Sequence, residues 1–166
     1  MRALTKLLSI FDRGLDVMAV LAGILLLFTM ISVSSEVAAR YFFNRPTGWV
    51  TEVGSYVLLY VTFLVAAWVL RGEGHVSMDI IINLFSPRTQ SLIQLVTSGA
   101  SALVCLILAW LGARVSWDLF ETGYFTPTML ELPKWFLTAV ISFGFLLLFV
   151  QFIRRGHASL QKWRST

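Results

Sequence analysis

EVAARYFFNRPTGWVTE, residues 36–52, is the stretch that decides how this chain folds. It joins two long apolar runs and gathers charge at their shared edge. Glu36 and Arg40 are four residues apart, so on a helix they sit one turn above each other. Asn44 and Pro46 end that helix, because proline cannot continue it and restricts the residue before it. Trp49 restarts the chain at the depth where amphipathic rings prefer to lie. Glu52 follows in the first turn, where the helix dipole favours an anion. The segment reads as a tight, charged, aromatic hairpin at one face of a membrane. Glu52 is expected to cap its helix or to pair with Arg40 or Arg45.

Composition forces the same reading. Of 166 residues, 57% are hydrophobic and 13% charged, and the mean hydropathy is +0.78. A soluble domain carries roughly 25% charged residues, so this chain lacks the polar surface to face water all round. The net charge of +4 does not point to nucleic acid, because the basic residues are scattered at the ends of apolar runs rather than clustered on a stripe. Cys105 is the single cysteine. It lacks the paired spacing of a redox or metal site and reads as a small core or lipid-facing residue.

Working outward, residues 17–35, 53–70, 89–113 and 135–153 are uncharged runs. Each is near or above the ~18 residues of a spanning helix. Ser86 and Pro87 read as a cap followed by a first-turn proline, and Gly123 as a stop. The fold is therefore an all-α integral membrane bundle of four transmembrane helices, at 14–43, 50–70, 87–121 and 134–154. The third helix exceeds a ~30 Å hydrocarbon slab and must tilt or rise out of it. Residues 1–13 form an amphipathic arm, with Leu4, Leu7, Leu8 and Phe11 on one side and Lys6, Ser9, Asp12 and Arg13 on the other. An N-terminal extension of the first span is the simpler alternative. Residues 155–166 form a tail, and the whole is one domain.

Arg2, Lys6, Arg13, Arg71, Arg88, Arg154, Arg155, Lys162 and Arg164 fall on one side. Arg40, Arg45, Arg114 and Lys134 fall on the other. This bias places both termini in the cytoplasm. The second loop holds Arg71, Glu73, His75 and Asp79. Its segment 78–85 is too short to span and reads as interfacial. Three readings of that polar cluster stay open: a solvated cap, a His75–Asp79 pair, and a proton site. Ser98 with Ala102, Ala109 with Ala113, and Ala19 with Gly23 are small residues four apart that permit close helix packing.

Little chemistry is offered. Away from the interfaces no span holds an ionisable residue, and such residues usually mark an ion or proton path. His75 and His157 lie outside the expected spans, so the sequence offers no pair of axial ligands for a membrane haem. No nucleophile–base pair, phosphate loop or metal cluster is apparent. No cofactor, metal or catalytic role is expected; the pattern suits a scaffold, not an enzyme.

Several segments together resemble the small, Q-type transmembrane subunit of tripartite ATP-independent periplasmic (TRAP) transporters. They are Glu36 to Phe43 with Pro46 and Trp49 to Glu52, Ala66-Ala67 leading to residues 71–79 (RGEGHVSMD), and residues 126–135 (TPTMLELPKW). The resemblance spans about residues 14 to 155. It implies residence in a bacterial inner membrane beside a large multi-span transport subunit that holds the substrate and sodium sites. It also implies a periplasmic solute-binding protein that delivers an organic acid or another carboxylate-bearing solute. On that basis Glu36, Arg40, Trp49, Glu52, Arg71, His75, Asp79, Pro133 and Trp135 are expected at helix–helix or partner interfaces. Arg45, Arg114, Asp118, Glu121 and Glu131 are expected to face the binding protein. Membrane lipids are the remaining partner, and no large subunit is expected within this chain. The rival readings are a self-sufficient four-helix small-solute transporter and a membrane subunit of a redox enzyme.

Overall fold

The structure is a computed structural model that describes residues 2–43, 48–72 and 87–165, with side chains between Leu8 and Leu160 apart from those of residues 87–88 and 91. Asn44, Arg45, Pro46, His75, Asp79 and the interfacial segment at 78–85 lie outside the described residues. Among the described residues there are four helices: α1 (Arg2–Phe43), α2 (Gly48–Gly72), α3 (Pro87–Thr122) and α4 (Lys134–Ser165). Each contains an apolar stretch long enough to cross a bilayer: Leu8–Phe43, Gly48–Gly72, Leu92–Thr122 and Lys134–Leu160. The protein is an all-α membrane bundle. Among the described residues the only β pairing is a single bridge between Phe125 and Pro133.

Helix ends follow local rules. Pro127 and Pro133 lie outside the helices, and Pro87 opens α3, where its missing N–H costs nothing. Gly123 stops α3 with φ 60°. Its N–H reaches Phe120 O at 3.4 Å and the Tyr124 N–H reaches Leu119 O at 3.4 Å, which satisfies two carbonyls that the ended helix orphans. α1 has no such stop before Phe43. The arm expected at 1–13 is the beginning of this same helix, because no proline interrupts it and Gly14 remains helical. Its 42 residues extend over roughly 60 Å, about twice the hydrocarbon thickness. α4 likewise continues through the expected tail to Ser165.

The helices pack along seams with alternating steps of three and four. On α1 the seam is Leu15, Met18, Ala22, Leu25, Thr29, Ser32 and Glu36, all buried or half-buried. It faces Val50, Gly54 and Val61 of the antiparallel α2. On α3 the seam is Ser98, Ala102, Cys105, Ala109, Gly112 and Ser116, facing α4. Cys105 is thus an ordinary packing residue, 7% exposed. Small-residue positions expected from four-spacing shift accordingly. Ala22 is buried where Gly23 is exposed, and Gly112 lies against Ser142 where Ala113 is exposed. A strict four-spacing drifts around a helix of 3.6 residues per turn, whereas the three–four alternation stays on one face.

α1 packs on α2, α2 on α4, and α4 along α3, so α1 and α3 stand at the two ends of a row. Gly144 permits the α2–α4 approach: a Cβ there would meet Phe63 at 2.7 Å. The outer faces of α1 and α3 are left apolar and exposed, with Leu27, Ile31 and Val37 on one and Leu103, Ile107 and Trp110 on the other. Contiguous apolar surface on this scale is expected of helices that meet lipid or a membrane partner.

Candidate functional site

Charge is confined to the two ends of the helices. Residues 17–35, 53–70, 89–113 and 135–153 carry none.

At one end Asp12 of α1 joins three helices. Arg154 of α4 grips its carboxylate with both guanidinium nitrogens, Nη1 to Oδ1 at 2.6 Å and Nη2 to Oδ2 at 3.2 Å. Arg71 of α2 lies 3.7 Å from Oδ1 and donates to the Asp12 backbone carbonyl at 3.1 Å. Arg71 also donates to Asp16 one turn along α1, which accepts from Trp68 Nε1 at 3.0 Å. Arg154 stands over the Phe11 ring and reaches Gln151 Oε1 at 3.3 Å. Two carboxylates meet two guanidinium groups, so the cluster is neutral. It sits directly on an apolar knot of Leu15, Ala67 and Leu147. Planar two-point pairing fixes orientation as well as distance. The rotation of α1 about its own axis is thereby set against both α2 and α4.

Of this cluster only Arg71 was expected among site residues. Asp12 read as part of the polar side of an arm and Arg154 as a topology charge, while Asp16 was given no role. Their signal was present in part: two carboxylates one turn apart on a membrane helix repel unless cations face them.

At the opposite end Glu52 does not pair with Arg40. Helix α2 begins at Gly48, which puts Glu52 in its second turn, and the carboxylate reaches from there to the loop between α3 and α4, accepting from Met129 N at 2.9 Å and Leu130 N at 3.3 Å. Arg40 instead pairs with Glu36 at 3.0 Å, as their spacing predicts. The loop closes on itself as well. Thr126 N donates to Leu132 O at 2.9 Å, and Lys134 N to Tyr124 O at 3.1 Å. Tyr56 Oη lies 3.3 Å from Thr128 Oγ1. Glu131 holds a left-handed φ of 43°, a conformation that costs a non-glycine residue roughly 1–2 kcal/mol. The Glu52 grip beside it offsets that cost.

The other expected residues that are described gather at this same end. Pro133 faces Phe125 in the bridge. Trp135 meets Phe120 edge-on at 5.5 Å and Phe136 at 5.8 Å. Trp49 is half exposed. Arg114, Asp118, Glu121 and Glu131 are exposed, with Glu121 accepting from Trp117 Nε1 at 2.8 Å. The described residues contain no group of three or more His, Cys, Asp or Glu able to hold a metal.

This arrangement can fix helices and present a stiff, charged, aromatic rim. A family model described as "Tripartite ATP-independent periplasmic transporters, DctQ component" matches residues 29–161. A Haemophilus influenzae protein named as a TRAP transporter small permease protein is 25% identical over 116 residues, covering 70% of this chain and 68% of its own length. The C4-dicarboxylate TRAP transporter small permease protein DctQ of Rhodobacter capsulatus is 28% identical over 106 residues, 64% of this chain. The chain spans about half the length of that second relative, 46%.

Proposed function

This chain belongs to the DctQ-component family of tripartite ATP-independent periplasmic transporters, and on that premise we propose that it is a fixed scaffold beside a larger, moving transport subunit. The observation that carries this reading is the distribution of charge. The four apolar runs hold no Asp, Glu, Lys, Arg or His, and charged side chains inside spans are what usually mark an ion or proton path. The chain's charged groups instead lock helices at one end and stiffen a loop at the other.

In this reading the protein lies in the bacterial inner membrane with both termini cytoplasmic. The Asp12 cluster then faces the cytoplasm and the Glu52 loop the periplasm. A sodium gradient drives uptake through the partner, and the solute is a carboxylate such as the C4-dicarboxylates in the name of the Rhodobacter relative. The exposed Arg114, Asp118, Glu121 and Glu131 form the rim that meets the solute-binding protein, and Arg45 is assigned the same role from its place in the sequence. Charges in such a rim mainly set encounter rate and register.

The test is reconstitution into vesicles. The purified chain alone is expected to give no uptake under a sodium or proton gradient. Uptake is expected once the large permease subunit and the binding protein are added. Flux by the chain alone would establish the self-sufficient transporter instead.

A further inference from the structure

Glu36 occupies a place where a carboxylate is costly. It is 6% exposed and lies about two turns before the end of the apolar α1. One oxygen, Oε1, accepts from Arg40 Nη2 at 3.0 Å. Among the described residues no donor is assigned to Oε2. No side-chain nitrogen or oxygen sealed from the surface lacks a partner among the described residues, so Oε2 keeps some accessible surface. Glu36 lines a hollow of about 240 Å³ between α1 and α2, together with Ser32, Ser35, Ala39, Trp49 and Val50. Ser35 Oγ donates back to Ile31 O and Ser32 O, which leaves its lone pairs for an incoming donor. Arg40 is 62% exposed and carries its remaining donors outward. Trp49, 47% exposed, marks the depth of lipid headgroups.

A buried acceptor thus adjoins an exposed cation at headgroup depth. A ligand with a single charge would satisfy one of the two and oppose the other. A ligand with an ammonium and a phosphate a few bonds apart satisfies both. We propose that this hollow binds the headgroup of a phosphatidylethanolamine lipid. Its ammonium donates to Glu36 Oε2 and Ser35 Oγ, its phosphate accepts from Arg40, and its acyl chains lie on the exposed apolar flank of α1 at Val33 and Val37. The proposal rests on the membrane fold and is independent of what the transporter carries.

The test uses the full chain in detergent micelles with equal amounts of phosphatidylethanolamine, phosphatidylcholine and phosphatidylglycerol of identical acyl chains. Retained lipid is counted by native mass spectrometry. Phosphatidylcholine keeps the positive charge but has no N–H to donate, and phosphatidylglycerol has no cation. Phosphatidylethanolamine should be retained roughly tenfold over either, the size of one hydrogen bond to a charged group. Glu36→Gln should bring it down to the phosphatidylcholine level, and Arg40→Gln should lower retention of all three. Equal retention of the three lipids by the unaltered protein would overturn the proposal, and that comparison needs no variant to fold. A preference that survives Glu36→Gln would overturn it too. So would loss of the preference in the assembled transporter, since Glu36 would then be covered by protein.

Discussion

Replacing Asp12 by alanine removes a carboxylate that α2 and α4 both hold. Asp12, Arg154 and Arg71 are each about a third exposed, at 32%, 29% and 31%. Exposed ion pairs contribute about 0–1 kcal/mol, and breaking a buried one costs about 3–5 kcal/mol. The structure moderates the loss. Arg154 keeps Gln151 and the Phe11 ring, and Arg71 keeps Asp16 and the residue 12 carbonyl. The expected cost is about 2 kcal/mol, or roughly 4–8 °C in midpoint by the scaling for chains of this size. Thermal unfolding of the full chain in micelles, followed by circular dichroism, reads it directly. Arg154→Ala should cost a similar amount, and the double variant no more than the worse single one, because both remove the same contact. Raising salt from about 0.1 M to about 1 M shortens the screening length from ~10 Å to ~3 Å and should narrow the gap between variant and unaltered protein. A shift below about 1 °C would mean that the cluster does not lock the helices. Strictly additive losses from the two single variants would show that Asp12 and Arg154 act independently.

Other outcomes follow from the same structure. Glu52→Gln should deprotect the Met129 and Leu130 amides in hydrogen exchange and leave the α3–α4 seam unchanged; unchanged protection at both amides would refute the grip. Gly144→Leu drives a side chain into Phe63, so it should destabilise the α2–α4 contact by about 1–3 kcal/mol; a neutral result in the same melt would show that the two helices pack otherwise. Glu131→Gly removes the left-handed penalty and a rim charge together. Its midpoint should hold or rise slightly, while uptake by the assembled transporter at limiting binding protein should fall. Reversing Arg114 to Glu should lower that same uptake with the membrane complex still assembled; uptake equal to the unaltered protein across a salt series would remove Arg114 from the docking face.

The sequence alone determined the four spans, because hydropathy over some twenty residues and the placement of four prolines are properties of local chain. It likewise determined the Gly123 stop, observed as a left-handed glycine, and the Glu36–Arg40 pair, since partners four apart meet whenever a helix forms. Only the tertiary structure decided the long-range partners. Asp12 meets Arg71 and Arg154 across separations of 59 and 142 residues, and Glu52 finds two backbone amides 77 and 78 residues away. It also decided that Ala22 and Gly112, not Gly23 and Ala113, face neighbouring helices. The reason is geometric. Hydropathy sets which residues enter the bilayer, but an apolar helix looks much the same from every side. Its rotation and register are chosen by the fit of neighbours, and a carboxylate at its end takes whichever donors that rotation brings within reach.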